Sequence, residues 1–206
     1  FISSLAKGFS TDQESINAEI ESLSSGIAHI RDLISTQQDY AGQSSLVEWT
    51  SIPNRIDEAL AMCNKALSTD KELEIVKNIG EIPRLRIDKH KLLEILVNLI
   101  QNARQAMQSN DPPVRRLTVD ASVLRENWLR IAVTDNGMGI APDNVSKVFN
   151  MGFTTKSSGH GFGLHTSANA ATEMGGSLTA TSEGEGKGAS FVLEVPFQTE
   201  TIASNQ

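Results

Sequence analysis

Leu96-Val97-Asn98-Leu99-Ile100-Gln101-Asn102-Ala103 is the stretch whose reading decides the fold. With Glu94 added, the polar residues Glu94, Asn98 and Asn102 recur at every fourth position, so a helix would project them from one face. Leu92, Leu93, Leu96, Leu99 and Ile100 cover much of the remaining surface, and the spacing predicts a helix from about Asp88 to Gln108. Asparagine is a poor mid-helix residue, and burying an amide unpaired costs about 1–3 kcal/mol. Two amides in register therefore call for solvent on an outer face, or for a ligand or ion that completes their bonds. On the stripe alone both readings stay open.

Working outward, Trp128–Thr134 clusters β-branched and apolar residues as a strand does, and Asp135-Asn136-Gly137-Met138-Gly139-Ile140 follows it directly. A carboxylate thus stands at a strand end with two glycines permitting a tight turn, an arrangement that also occurs in purely structural turns. Gly159-His160-Gly161-Phe162-Gly163-Leu164 precedes an alanine-rich stretch, His165 to Met174, as expected where phosphates meet the N–H groups of a helix start. No strand leads into this loop, and the Lys and Ser/Thr of a P-loop are missing, so neither a Rossmann nor a P-loop reading survives. Gly184-Glu185-Gly186-Lys187-Gly188 joins strands expected at Ser177–Ser182 and Ser190–Val195 and reads equally well as a hairpin loop. Further strands are predicted at Glu72–Ile79, Arg84–Ile87 and Leu117–Leu124, with a helix at Pro53–Leu67. The expectation is an α+β domain spanning residues 50–198, ahead of a frayed tail, 199–206.

Before this domain, Ile16, Ile20, Leu23, Ile27, Ile30 and Ile34 follow steps of four and three, a seam that needs a partner helix. Residues 1–49 are therefore read as a coiled-coil-like dimerisation segment, with the joint near Gly42–Ser45 and Ser51-Ile52-Pro53. The 206 residues are 39% apolar, enough for one packed domain and an appendage. No apolar run approaches the roughly 20 residues that cross a bilayer. Eighteen basic against 25 acidic residues give a net charge of −7, which disfavours broad capture of nucleic acid or an anionic membrane, so any phosphate must be held locally. A single cysteine, Cys63, rules out an internal disulfide or a multi-thiolate metal site; it suits a reducing compartment, and a cytoplasmic location is expected. The chain opens at Phe1 without an initiator methionine or leader, and is expected to be a piece of a longer protein that could carry a membrane anchor elsewhere.

In order and spacing, these motifs resemble the ATP-binding module shared by sensor histidine kinases, gyrase, Hsp90 and MutL, over roughly Ser51 to Pro196. Residues 96–103 resemble its N box, Asp135–Ile140 its first glycine box and Gly159–Leu164 its second; Val148-Phe149-Asn150-Met151-Gly152-Phe153-Thr154-Thr155-Lys156 is similar to the F box of the kinase branch. The resemblance implies a Bergerat-type fold, a two-layer α/β sandwich with a mixed, mostly antiparallel sheet packed on helices. It also implies ATP or ADP with Mg²⁺ as the ligand. Asn102 would then ligate the metal through its amide oxygen, Asn98 would support the phosphate side, and Asp135 would accept from the adenine amino group. Gly137 and Gly139 would admit the ring, Ile140 would cover a base face, and Phe149 and Phe153 would anchor a short lid. Gly159, His160, Gly161, Phe162, Gly163 and Leu164 would close over the phosphates, with Lys156 near the outermost one.

The hydrolase branch carries a glutamate where this chain has Asn98, an amide that cannot take a proton, so transfer to a histidine is favoured over attack by water. Glu94, about 6 Å further along the axis, is read as structural or as an interdomain contact. The implied partners are a second copy of the chain through its N-terminal helix and the receiver domain of a response regulator, to whose aspartate the phosphohistidine would pass its phosphate. His29 lies on the seam but lacks the flanking residues of common acceptor boxes, so the acceptor is expected upstream of Phe1; His90, His160 and His165 are awkwardly placed for that role. Two departures from the family pattern are Gln105, where many histidine kinases have lysine, and Ala189, where threonine is frequent. A nucleotide-binding scaffold without chemistry, or a protein-serine kinase or ATPase of the same fold, would account for the same motifs.

Overall fold

Alternation of buried and exposed residues builds the central sheet. In the computed structural model, which describes residues 47–64, 73–110, 112–125, 127–155 and 161–198, five strands run in the order β2 (Leu73–Ile79), β4 (Arg115–Arg125), β5 (Trp128–Asp135), β7 (Ala189–Pro196) and β6 (Ser177–Thr181). The strand β1 (Val47–Thr50) pairs antiparallel with β3 (Leu85–Asp88) in a separate two-stranded sheet. Only the β2–β4 pair of the larger sheet is parallel, as a crossover through an intervening helix requires. The expected helical seam, His29, Lys156, Gly159, His160 and the tail lie outside the described residues.

One face of this sheet is apolar. Leu117, Val119 and Ala121 of β4, Leu129, Ile131 and Val133 of β5, and Phe191, Leu193 and Val195 of β7 are buried, every second residue in each strand, as the pleat dictates. The opposite face carries polar pairs, among them Asn78 donating to Asp120 at 2.8 Å, Thr134 with Ser190 at 2.8 Å, and Arg116 with Glu74 at 2.9 Å. A sheet with one dry and one wet face takes a single covering layer. Helices α1 (Ile52–Asn64), α2 (Lys89–Asn110) and α3 (Gly163–Glu173) supply it, and α2 contacts both other helices as well as β4 and β5. The two-layer sandwich expected from the sequence is the observed fold.

The buried stripe of α2 comprises Leu92, Ile95, Leu96, Leu99, Ile100, Ala103 and Met107. Asp88 ends β3 and starts this helix: its Oδ1 accepts from the backbone N–H of His90 and of Lys91, both at 3.1 Å. Two of the helix's unpaired first-turn donors are thereby satisfied. Lys91 pairs with Glu173 at 2.7 Å and Asn98 with Ser167 at 2.7 Å. The start of α2 therefore meets the end of α3, and the two run antiparallel.

The stretch Val47–Trp49, assigned from the sequence to the helical segment and its joint, is instead extended and hydrogen-bonded to β3, in the register Val47↔Asp88 to Thr50↔Leu85. Ion pairing of Lys89 with Glu48 adds a side-chain link, and that hydrogen bond holds the Glu48 carboxyl below its ordinary range. On its other edge β3 receives Gln198, which exchanges two backbone hydrogen bonds with Arg86, at 3.0 and 3.2 Å. Cys63 is buried under α2, its Sγ 3.8 Å from the Val97 carbonyl. Desolvation raises its thiol pKa, partly opposed by the charge of Arg104.

Two outcomes are expected. Asp88→Ala should lower unfolding free energy by about 1 kcal/mol, the usual loss for an N-cap, in a urea titration, while Asp88→Asn should lose less. Because the thiolate is the reactive form, Cys63 should resist an aromatic disulfide reagent at pH 8 in the folded chain and react promptly once urea unfolds it.

Candidate functional site

The alternation that sends Leu129, Ile131 and Val133 inward sends Asp135 inward too, and it is only 5% exposed. A carboxylate on the core face of a strand is costly unless hydrogen-bonded. One bond is local: Gly137 N–H donates to Asp135 Oδ1 at 2.8 Å. The residues in register on either side are Leu117 and Ala189, and the short side chain of Ala189 leaves room beside the carboxylate.

That room is part of a cavity of about 320 Å³ between α2, the end of β5 and the start of α3, within the usual range for a small-molecule site. Asn98, Asn102, Asp135, Gly139, Ile140, Phe153, Gly161, Phe162, Gly163 and Leu164, all singled out from the sequence, line it together. Gly137 lies beneath rather than in the lining: a Cβ there would sit 2.4 Å from the Ala106 carbonyl carbon, so the loop after β5 rests directly on the α2 backbone. Met138 N–H donates to the Ala106 carbonyl at 3.0 Å, and Asn110 Nδ2 to the Gly137 carbonyl at 3.3 Å.

The loop joining β6 to β7 is interlocked with the same turn. Gly188 N–H donates to Gly137 O at 3.1 Å and Gly186 N–H to Met138 O at 2.6 Å. Ser182 Oγ accepts from Ile140 N–H at 3.0 Å and donates to Gly188 O at 2.6 Å. Close approach explains the glycines here: at Gly139 (φ +71°) a Cβ would fall 2.1 Å from Gly184 O, and at Gly188 (φ +72°) 2.0 Å from Asp135 O. The glycine-rich 184–188 stretch is therefore a clamp on the Asp135 turn and not merely a hairpin loop.

Apolar walls complete the cavity. Val148, Phe153, Leu164 and Phe191 contribute to it, and Phe149 packs edge-on against Phe191, with ring centroids 6.4 Å apart and planes at 89°. Opposite stands the start of α3. Its N-cap position, Phe162, offers no side-chain cap, so first-turn N–H groups, with the positive end of the helix dipole, are available for an anion. Gly152 N–H donates to Gly161 O at 3.2 Å and joins the two ends of the intervening 153–160 stretch.

On α2, Asn98 Nδ2 donates to Ser167 Oγ at 2.7 Å, and Asn98 Oδ1 accepts from Asn102 Nδ2 at 3.3 Å. Asn102, its nitrogen engaged in this way, lines the cavity with an amide oxygen of the donor type that magnesium takes. Among the described residues no cluster of three or more His, Cys, Asp or Glu forms a metal site, so a cation here would rely on this amide, phosphate and water. Glu94 is exposed, and His90 is exposed in the first turn of α2. His165 is tied into the structure, with Nδ1 3.0 Å from Phe149 O and Nε2 3.2 Å from Asn169 Nδ2.

Sequence reasoning passed over Ser167 and Ala106. Ser167 was within reach: in α3 it falls on the stripe with Leu164, Ala168 and Ala171, the face that packs inward.

A carboxylate at a strand end, an amide-bearing helix and an unblocked helix start around one cavity define a nucleotide-site class of α/β sandwich. The family described as "Histidine kinase-, DNA gyrase B-, and HSP90-like ATPase" matches residues 87–199, more than half of the chain, and the chain belongs to that family. It is 40% identical over 111 residues to the two-component sensor PprA of Pseudomonas aeruginosa, covering 52% of this chain and 12% of that protein. It is 36% identical over 131 residues to the sensor histidine kinase ZraS of Escherichia coli, covering 64% of this chain and 27% of that protein. The chain thus spans well under a third of these relatives' own lengths. Among solved structures, the mycobacterial sensor histidine kinase MprB superposes with a TM-score of 0.63 at 21% identity, over 74% of this chain and 99% of that one. Full-length ShkA, solved with AMPPNP, gives 0.64 at 26% identity, over 74% and 31% of the respective chains.

The interlocked glycines give a graded expectation. Gly188→Ala must displace the Asp135 backbone and should cost well over the roughly 1–2 kcal/mol of a left-handed alanine. Gly186→Ala, equally left-handed (φ +75°) but with nothing within 4 Å of its Cβ, should cost no more than that. Thermal melting of the two variants checks the order.

Proposed function

We propose that this chain supplies the ATP-binding domain of a two-component sensor histidine kinase, which transfers the γ-phosphate of Mg-ATP to a histidine. The observation that carries the reading is the inward carboxylate of Asp135, buried at the end of β5 beside a cavity that also receives Asn102 and the start of α3. An adenine amino group donates to such a carboxylate, and the ring fits between apolar walls. Gly139 lets the backbone approach the ring, and Ile140 covers a face of it. The first N–H groups of α3, reached through Gly161 and Gly163, take the phosphates. Lys156, in the stretch between Phe153 and Gly161, adds charge at the outermost phosphate, with Gly159 and His160 in the same loop.

Asn102 Oδ1 is the protein's ligand for magnesium, which when bound neutralises phosphate charge and fixes phosphate geometry. Asn98 stands where a hydrolase places its base, yet its amide can only hydrogen-bond, and both ends of it are engaged, by Ser167 and by Asn102. Water receives no proton acceptor from this position, so the site positions a phosphoryl donor for a nucleophile delivered from elsewhere. That nucleophile is a histidine carried by a helical segment, whose pairing with a second copy makes the kinase dimeric. The phosphohistidine in turn serves the aspartate of a response-regulator receiver domain, and the domain works in the cytoplasm.

Asp135→Asn should weaken ADP binding about 10- to 100-fold, the value of a hydrogen bond to a charged group, measured by calorimetry, with the melting temperature of the ligand-free chain nearly unchanged. Undiminished affinity would remove the assignment. In the natural protein, label from γ-phosphate-labelled ATP should appear in an acid-labile, base-stable linkage; acid-stable label would point to serine instead.

A further inference from the structure

Ser167 enters the reading above only as a partner of Asn98, yet it is one of the few buried polar residues among those described, 2% exposed in the second turn of α3. Its Oγ receives Asn98 Nδ2–H at 2.7 Å, and Asn98 Oδ1 receives Asn102 Nδ2–H at 3.3 Å. The three side chains form a directed relay from α3 to the cavity. The sense of the relay matters because an amide has one accepting and one donating end. Were Asn98 reversed, its nitrogen would face Asn102 and draw the Asn102 oxygen toward itself and away from a cation.

Ser167 Oγ stands as the acceptor of Asn98 Nδ2–H at 2.7 Å, which sets the sense of the amide with its nitrogen toward α3 and its oxygen toward Asn102. Gly163, one turn earlier in α3, closes on the same group: a Cβ there would lie 2.4 Å from Asn98 Oδ1. The side chain of Asn98 is thus held by α3 at two successive turns, and α3 is the helix whose start faces the cavity.

We infer that Ser167 is a positioning residue for the divalent cation: through Asn98 it orients the Asn102 amide, and it ties that orientation to the placement of the α3 start that takes the phosphates. The inference rests on the proposed nucleotide site. It separates Ser167 from Asp135, which stands at the end of β5 on the proposed base side of the cavity, so the metal-dependent and metal-independent parts of nucleotide affinity should respond to different residues.

The experiment titrates ADP into the 206-residue chain calorimetrically, once with Mg²⁺ and once with EDTA. In Ser167→Ala the affinity in EDTA should stay within about twofold of the wild type, as for an independent site. The gain conferred by Mg²⁺ should fall about tenfold, the low end for loss of an outer partner of a metal ligand. A double-mutant cycle adds a second readout. Ser167→Ala combined with Asn98→Ala should lose no more of the Mg²⁺ gain than Asn98→Ala alone, and additive losses would overturn the relay. A full Mg²⁺ gain in Ser167→Ala, or an equal loss of affinity with and without metal, would likewise overturn it, the latter marking Ser167 as a packing residue. A wild-type chain that does not bind ADP, or binds it indifferently to Mg²⁺, would remove the proposed site itself, and this inference with it.

Discussion

A carboxylate facing the dry side of a sheet is the constraint from which the rest of the site follows. Asp135 shares its face with Leu129, Ile131 and Val133, and an ionised group there must be bonded or neutralised. The Gly137 N–H is one local donor to it, and the group lines a cavity. For that cavity to exist at the end of β5, the covering helix must stop filling the space. In α2 it does: the leucines and isoleucines that seal the sheet give way, on the adjoining face, to Asn98 and Asn102.

The glycines of the three loops look redundant in sequence, but they do different work. Gly137 lets a turn lie on the backbone of α2, Gly139 and Gly188 let two loops cross at contact distance, and Gly186 only needs a left-handed backbone. The interlock holds the Asp135 turn between α2 on one side and the 184–188 loop on the other. Its hydrogen bonds are shared between backbone groups and the Ser182 hydroxyl, and the close crossing itself depends on the absence of Cβ atoms at Gly139 and Gly188. Rigid support of this kind keeps a binding carboxylate in one orientation, which selectivity for a base edge demands.

The opposite wall is organised by α3. Its antiparallel contact with α2 is made by surface charge at one end, Lys91 with Glu173, and by the half-buried Asn98–Ser167 bond further along. The charged pair contributes little to stability, as surface pairs generally do. The Asn98–Ser167 bond fixes the relative position of two groups that both face the cavity, the amides of α2 and the start of α3. The asparagine that sits in the place of a hydrolytic glutamate thus has a structural occupation, which agrees with a site that orients a phosphoryl group without activating water.

Periodicity made the strands, the long helix and its polar face legible, because a pleat repeats every second residue and a helix every 3.6; the elements found differ from those expected by a few residues at their ends. The residues around the cavity were legible as well, since the motifs that hold them are short and ordered along the chain. The strand Val47–Thr50 was not, because its partner β3 lies far away in sequence and four residues carry too little pattern to declare an edge. The inward position of Ser167 was readable from the stripe it shares, but its partner was not: its hydrogen bond spans 69 positions, and a serine in an alanine-rich helix looks inert until the helix it packs on is known. Local order along the chain was enough to read most of the chemical groups that line the candidate cavity among the described residues. Their orientation, the sense of the amides and the crossing of the glycine loops were set by contacts between distant segments, since hydrogen-bond direction and close backbone approach exist only once those segments have packed.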